Sequence, residues 1–262
     1  MYPILTTIKG NPVYSYGFCA AVGFGLGIFF VSYWAAKFSL RWEYHFDYVL
    51  LGGFVFGLIG ARLLAYISYG LIITNPLGIF NLSEGGFSFF GGIGAAIASY
   101  CFLLRWYNEP FWLSFDIHIT GFCLSLAIGR FGCFLKGCCH GQPCPPPWGL
   151  NFVDFPGGPF FPIQLISSLG FLICFLIFSN RLKKKLVDRN NPPDGVIFAG
   201  VLIYIGCMRF ILEYFRGDND TFLGLSFYHL LAALFFFSGL IILKLRLKEA
   251  ERSLASMDLK GA

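Results

Sequence analysis

The chain has 262 residues, of which 56% are hydrophobic and only 13% are charged. Soluble domains carry about 25% charged residues, so the composition excludes an ordinary soluble domain and indicates an integral membrane protein. The net charge of +5 indicates no nucleic-acid partner, because membrane proteins concentrate Lys and Arg in the segments that connect their spans. We expect contact with membrane lipids and no cofactor.

Seven apolar segments follow one another, each long enough for a membrane-spanning helix of about 20 residues. They predict an all-α integral membrane protein with about seven transmembrane helices, over residues 14–36, 47–69, 86–105, 111–129, 159–179, 195–215 and 222–245. Residues 1–246 are predicted to form one transmembrane domain with outer-face loops. Residues 247–262 are predicted to be a charged cytoplasmic tail that continues the last helix.

The Lys and Arg residues are divided unevenly between the two ends of these segments. Thirteen of the 19 lie on the side of the C-terminus, and four lie on the opposite side, namely Lys9, Arg130, Lys136 and Arg216. Because positive residues stay on the cytoplasmic side, this predicts an outer N-terminus and a cytoplasmic C-terminus. The connection between the fourth and fifth segments then lies on the outer face.

Charged side chains within apolar segments are costly, so each one marks a candidate functional site. Arg62 lies in the second segment, Arg130 closes the fourth, and Arg209, Glu213 and Arg216 lie at the outer end of the sixth. The last three are four and three residues apart, so they share one helix face. Arginine presents a planar fork of donors that fits a phosphate, which predicts a clamp for a phospholipid headgroup. A purely structural ion pair is the alternative.

Two further features lie within the segments. Gly91 and Gly92 begin the third segment, where the backbone can bend towards a ligand, whereas the glycines at 52, 53 and 57 favour close helix packing. Asp116 and His118 form a polar pair near the start of the fourth segment, and we expect them to pair with a loop at the cytoplasmic end.

Residues 129–144 read GRFGCFLKGCCHGQPC and hold four of the nine cysteines. The spacing of Cys133, Cys138, Cys139 and Cys144 lacks the paired C-x2-C arrangement of structural zinc sites, so we predict no metal site. A disulfide from Cys138 or Cys139 to Cys144 suits an oxidising outer face. Simple packing of small apolar thiols is the remaining interpretation.

Six blocks, taken in order, resemble prolipoprotein diacylglyceryl transferases over roughly residues 12–245. They are Tyr16-Gly17, Gly60-Ala61-Arg62, Ser88–Gly92, Gly129–Gly141, Pro162–Leu165 and Arg209–Arg216. This family moves a diacylglyceryl group from phosphatidylglycerol to the lipobox cysteine thiol in the signal peptide of a prolipoprotein. The resemblance implies a multi-pass protein of the bacterial inner membrane whose active site faces the outer leaflet.

The resemblance and the charged groups together assign candidate roles. The predicted catalytic residues are Arg130, Arg209, Glu213 and His140. As the group that accepts the proton of the thiol, His140 is preferred over His229 and Glu213. The predicted substrate-binding residues are Tyr16, Arg62, Ser88, Gly91, Gly92, Gly129, Gly132, Gly141, Gln164 and Arg216.

The chain departs from the family pattern at several polar positions. The family's histidine is Phe90 here, and the two asparagines and the glutamate of its signature are Cys133, Lys136 and Cys138. Further departures are Ser167, Ile205 and His229. They keep three alternatives open: a transferase of the same fold with another acceptor, a non-catalytic phospholipid-binding membrane protein, and a thiol-redox protein.

Overall fold

The computed structural model describes residues 2–8, 10–38, 46–68, 88–152, 155–188, 192–216 and 226–261. In these ranges the chain forms seven α-helices and two short antiparallel hairpins. The helices are α1 (Ser15–Lys37), α2 (Phe46–Ser68), α3 (Phe89–Trp106), α4 (Phe111–Lys136), α5 (Ile163–Val187), α6 (Val196–Glu213) and α7 (Phe227–Gly261). The hairpins pair β1 (Ile4–Ile8) with β2 (Asn11–Tyr14) and β3 (Leu150–Phe152) with β4 (Phe155–Phe160).

Each helix overlaps one of the seven predicted segments. Five are long and apolar enough to cross a membrane, namely α1, α4, α5, α6 and the part Phe227–Ser253 of α7. A helical membrane protein is therefore confirmed, and the exact number of spans stays a prediction. Helix α7 continues to Gly261, as expected for the charged tail.

Two of the differences from the predicted segments lie around the cysteine-rich stretch. Helix α4 extends to Lys136, so Arg130 lies inside the helix rather than at its end. Helix α5 begins only at Ile163, after Pro162, because the residues before it form β4. The two hairpins were not predicted, since strands of three to six residues are too short to show a clear alternation of polar and apolar residues.

The chain divides into two compact units, one of Met1–Trp34 with Phe115–Ala262 and one of Ala35–Ser114. In the first, α1 and α4 approach closely at Gly121, where an added Cβ would lie 2.7 Å from Val31 Cγ2. In the second, α2 meets α3 at Gly60, where a Cβ would lie 2.6 Å from the Gly91 oxygen. Small residues allow helix backbones to come this close in a membrane protein.

A buried ionic cluster joins α4, α5 and the start of α6. Asp116 accepts hydrogen bonds from Lys185 Nζ at 3.0 Å and from the backbone N–H groups of Gly195 at 2.9 Å and Phe198 at 2.7 Å. Lys185 also pairs with Asp194 at 2.7 Å. The prediction that Asp116 pairs with a loop is confirmed. Lys185 lies beyond the fifth predicted segment and is nevertheless fully buried.

Candidate functional site

Arg209 and Glu213 lie on one face of the end of α6, as their spacing predicts, and Arg216 lies three residues beyond the last helical residue. Glu213 Oε2 lies 3.2 Å from Arg209 Nη2 and 4.0 Å from Arg216 Nη1. The Glu213 side chain is almost fully buried, whereas both arginine side chains keep slightly less than a fifth of their surface exposed. The carboxylate therefore fixes two guanidinium groups that remain accessible.

Glu213 also connects this face of α6 to the start of α7. Ser226 Oγ donates to Glu213 Oε1 at 3.4 Å, and the Ser226 backbone N–H donates to His229 Nδ1 at 3.0 Å. His229 is 2% exposed and packs against the rings of Phe210 and Tyr214. A chain of polar contacts thus runs from Arg209 through Glu213 and Ser226 to His229.

Arg130 of α4 belongs to the same charged group. Its charge acts on Arg209, as does the charge of Arg216, and both Arg130 and Arg216 act on Cys139. Next to Arg130, a Cβ added at Gly129 would meet nothing within 4 Å, so the helix leaves open space there. Arg209 and Arg216 therefore flank the buried carboxylate of Glu213, and the charge of Arg130 reaches Arg209.

Gln142, in the loop after α4, makes backbone and side-chain hydrogen bonds to the residues at the end of α6. Gln142 N–H donates to Phe215 O at 2.8 Å, and its side-chain Nε2 donates to Tyr214 O at 3.2 Å and Arg216 O at 3.1 Å. A Cβ added at Gly141 would lie 2.5 Å from Phe215 O, so this position excludes a larger residue. Gln142 had no role in the sequence prediction, because a solvent-exposed glutamine in a loop gives no signal.

Gln164 and Tyr16 bring α5 and α1 to the signature. Gln164 is 1% exposed, and its Nε2 donates to Cys138 O at 2.8 Å, while its Oε1 is buried with no hydrogen-bond partner among the described residues. Gly132 lets α1 approach α4, since an added Cβ would lie 3.4 Å from Tyr16 Cα. The Tyr16 ring lies 5.8 Å from Lys136 Nζ.

His140 packs against the second hairpin. Its ring stacks on Phe160 with 4.2 Å between ring centroids, lies 5.4 Å from Phe152, and its Nδ1 is 3.1 Å from Gly141 O. Nδ1 donates to that carbonyl, which leaves Nε2 as the acceptor in the neutral ring. His140 was preferred as the proton acceptor from sequence, yet the polar chain from Arg209 leads to His229.

The thiols of Cys133, Cys138 and Cys139 lie within 4.8 Å of one another. The pKa of Cys139 is lowered to about 5 by hydrogen bonds from Cys133 and Cys138 and by the charges of Arg130 and Arg216. Burial raises the pKa of Cys138. The predicted disulfide to Cys144 is absent, since all four cysteines of the stretch are unbridged.

Arg62, Ser88, Gly91 and Gly92 lie in the second unit. Arg62 is 3% exposed and lies 4.9 Å from the centroid of the Tyr66 ring. Ser88 caps α3, because its Oγ accepts from Gly91 N at 3.4 Å. Gly91 and Gly92 both lie in the contact between α2 and α3, where the prediction had them bend towards a ligand. The side chain of Phe90 lies outside the described residues.

A family model described as prolipoprotein diacylglyceryl transferase matches residues 3–245. The chain belongs to this family. Relatives named phosphatidylglycerol–prolipoprotein diacylglyceryl transferase span similar lengths. That of Clostridium tetani (strain Massachusetts / E88) is 29% identical over 225 residues, covering 83% of this chain and 86% of the relative. That of Paracidovorax citrulli (strain AAC00-1) is 31% identical over 241 residues, covering 85% of each. That of Aliivibrio salmonicida (strain LFI1238) is 29% identical over 275 residues, covering 99% of this chain and 92% of the relative.

Membership of this transferase family confirms the resemblance of the six blocks. Three of them, which contain Arg130, Gln164 and Arg209, lie together in the first unit, and the block with Tyr16 packs beside them. The sequence prediction missed the contact of Ser226 with Glu213 and the convergence of three thiols. Both depend on loops that fold back against helix ends, which spacing along the chain does not reveal.

Proposed function

We propose that this protein transfers the diacylglyceryl group of phosphatidylglycerol to the lipobox cysteine thiol of a prolipoprotein. The observation that carries the proposal is the pairing of Arg209 and Arg216 with the buried carboxylate of Glu213, together with the charge of Arg130 acting on Arg209. Three cations against one anion leave an excess of positive charge, which suits a lipid phosphate. The names of the relatives, phosphatidylglycerol–prolipoprotein diacylglyceryl transferases, support the same two substrates.

The arginines act on the group that leaves. The thiolate of the acceptor forms an S–C bond to the glycerol carbon, the C–O bond to the phosphate breaks, and glycerol phosphate departs with one more negative charge. Guanidinium groups already held in position stabilise that charge without reorganising, and they do so most strongly where water is scarce. Glu213 keeps Arg209 in place for this role.

The acceptor thiol must lose its proton, since an ordinary thiol has a pKa of about 8.5. The same arginines favour the thiolate by their charge. For the proton itself, the polar contacts support Glu213 or His229 over His140, because Glu213 pairs with Arg209 and Ser226 connects His229 to Glu213. Tyr16, Gly129, Gly132, Gly141 and Gln164 line the pocket for the lipid and the peptide in this proposal.

The proposal includes seven spans in a bacterial inner membrane, with the N-terminus outside and the active site facing the outer leaflet. The uneven distribution of Lys and Arg supports this orientation. A green fluorescent protein fused to the C-terminus tests it, because this reporter is fluorescent in the cytoplasm and dark after export. A dark fusion at full expression would contradict the orientation.

The function is tested with purified protein in detergent, phosphatidylglycerol labelled in its acyl chains, and a lipobox peptide. Wild type should label the peptide, whereas Arg130→Ala and Arg209→Ala should lose roughly 100-fold or more, the effect of removing one donor to a developing anion. Arg181→Ala, on an exposed part of α5, is the matched control and should keep full activity.

A second candidate is transfer to a different thiol acceptor, because Cys133, Lys136 and Cys138 replace polar residues of the family signature. A folded wild type that leaves the lipobox peptide unlabelled yet labels another thiol would favour it. A folded wild type that binds phosphatidylglycerol and labels no thiol would indicate a lipid-binding protein instead.

A further inference from the structure

The thiol cluster of Cys133, Cys138 and Cys139 is built at the end of α4. Cys133 is buried in the last turn of the helix, Cys138 is half-buried and Cys139 is exposed. Gly137, with φ of 83°, and Cys139, with φ of 59°, both adopt the left-handed conformation that turns the chain back over the helix end. That conformation is unfavourable for a cysteine, and such strain concentrates at functional sites.

The distances within the cluster suit a metal ion. Three thiolates that bind one ion at about 2.3 Å stand about 3.8–4.0 Å apart in tetrahedral or trigonal geometry. The three Sγ atoms already lie within 4.8 Å of one another, so small rotations of the side chains would close the site. We propose that Cys133, Cys138 and Cys139 bind a thiophilic d10 metal ion.

The surrounding charges stabilise such a complex. Three thiolates and one divalent ion carry a net charge of −1, and a monovalent ion leaves −2. The positive charges of Arg130 and Arg216 act on Cys139, and that of Lys136 acts on Cys138, so the excess negative charge is offset in place. None of these three cations competes for the ion as a ligand, since a protonated guanidinium or ammonium has no free lone pair.

The protein supplies three ligands and leaves one position open. Among the described His, Cys, Asp and Glu residues, the group contains no fourth member. The two nearest candidates in sequence make other contacts: Cys144 Sγ lies 3.6 Å from Pro145 O, and the His140 ring stacks on Phe160. A trigonal ion such as Cu⁺ is satisfied by three thiolates, whereas Zn²⁺ takes a water as its fourth ligand. The exposed side of Cys139 gives the ion its entry path.

The ion would join α4 to the loop that holds the end of α6. Cys138 and Cys139 precede Gly141 and Gln142, and Gln142 donates to the backbone of the residues that follow Glu213. A metal bridge from this loop to Cys133 therefore restrains the segment beside the arginine group. This metal site does not depend on the proposed transferase activity.

The test is metal stoichiometry on the full-length protein in detergent, after reduction and loading with Zn²⁺ or with Cu⁺ under nitrogen. Excess metal is removed by gel filtration, and atomic emission then gives the number of ions per protein. We expect one ion in the wild type and at least a tenfold lower occupancy in Cys133→Ala and Cys139→Ala. Cys144→Ala, in the same stretch and outside the cluster, should bind as wild type does. The Zn²⁺ and Cu⁺ arms, run separately, identify the ion.

A wild type that retains neither ion overturns the proposal, as does unchanged occupancy in the two cluster variants. A disulfide between any two of the three thiols, found by peptide mapping without reductant in freshly isolated membranes, overturns it too. Cys139→Ser alters only an exposed side chain and should lower the metal occupancy as Cys139→Ala does. The test therefore stands even if Cys133→Ala fails to fold. Diacylglyceryl transfer is measured on the same samples to separate the two proposals. A wild type that transfers the group yet retains no metal after loading contradicts the metal site alone.

Discussion

Replacing Asp116 by alanine should destabilise the protein far more than replacing Asp194, although both carboxylates bind Lys185. Asp116 is fully buried and accepts from Lys185 Nζ and from two backbone N–H groups at the start of α6. Those N–H groups have no partner within the helix, so Asp116 acts as a cap supplied by a neighbouring helix. The Asp194 side chain is 37% exposed and makes one ion pair of 2.7 Å with the same lysine.

The magnitude follows from burial. Removing one partner of a buried ion pair costs about 3–5 kcal/mol, because the charge left behind is poorly solvated. Asp194→Ala should cost about 1 kcal/mol, since its pair is partly screened by solvent and Lys185 keeps Asp116. Asp116→Ala combined with Lys185→Met removes both buried charges, and we expect it to regain most of the lost stability.

Thermal unfolding in detergent, followed by tryptophan fluorescence, measures these differences. At about 2–4 °C per kcal/mol, Asp116→Ala should lower the midpoint by roughly 6–20 °C, and Asp194→Ala by roughly 2–4 °C. An Asp116→Ala midpoint equal to that of Asp194→Ala would refute the reasoning. So would a double variant no more stable than the single one, because the loss would then not come from a stranded charge.

Three further predictions concern packing, the arginine group and the thiols. Gly60→Val should destabilise the packing of α2 against α3, because its Cβ meets a backbone oxygen of α3 at 2.6 Å. Gly94→Ala has open space and should unfold at the wild-type temperature or above. Equal unfolding midpoints for the two variants would contradict the close contact at Gly60. Glu213→Gln should lower the transfer rate about a hundredfold, because the arginines are misplaced, while phosphatidylglycerol binding in a vesicle assay persists. Ser226→Ala should lower the transfer rate only about fivefold, the value of one hydrogen bond. Similar losses of rate in both variants would contradict the role of Glu213. In metal-free protein, iodoacetamide should label Cys139 at pH 6–7. The thiolate persists above its pKa of about 5 and is lost as the pH falls through that value. Labelling that appears only near pH 8 would show that the neighbouring groups do not stabilise the Cys139 thiolate.

The helices were the most predictable part of the fold. The apolar runs predicted the position of all seven described helices, because a span must fill the hydrocarbon layer and satisfy its own backbone. The ends were less predictable. The apolar pattern weakens after Gly129, yet α4 continues to Lys136, because α1 packs against it at Gly132 and supports the additional turns.

The charged residues of the candidate site could be named from the sequence, whereas the contacts that connect them could not. The spacing of Arg209, Glu213 and Arg216 indicates one helix face, and their charge in an apolar segment marks them as functional candidates. Which histidine joins them was not predictable. His140 lies in the signature and packs on Phe160, whereas His229, 16 residues beyond Glu213, reaches it through Ser226.

The sequence by itself determined the membrane environment, the helices, the family and the arginines, because each depends on composition or on short-range spacing. Only the tertiary structure decided that Lys185 is buried against Asp116 and that three thiols converge at the end of α4. Both arrangements join residues from segments that the helical pattern treats as separate. The physical reason is that a helix fixes neighbours three and four residues away, while loops and helix packing choose all the others.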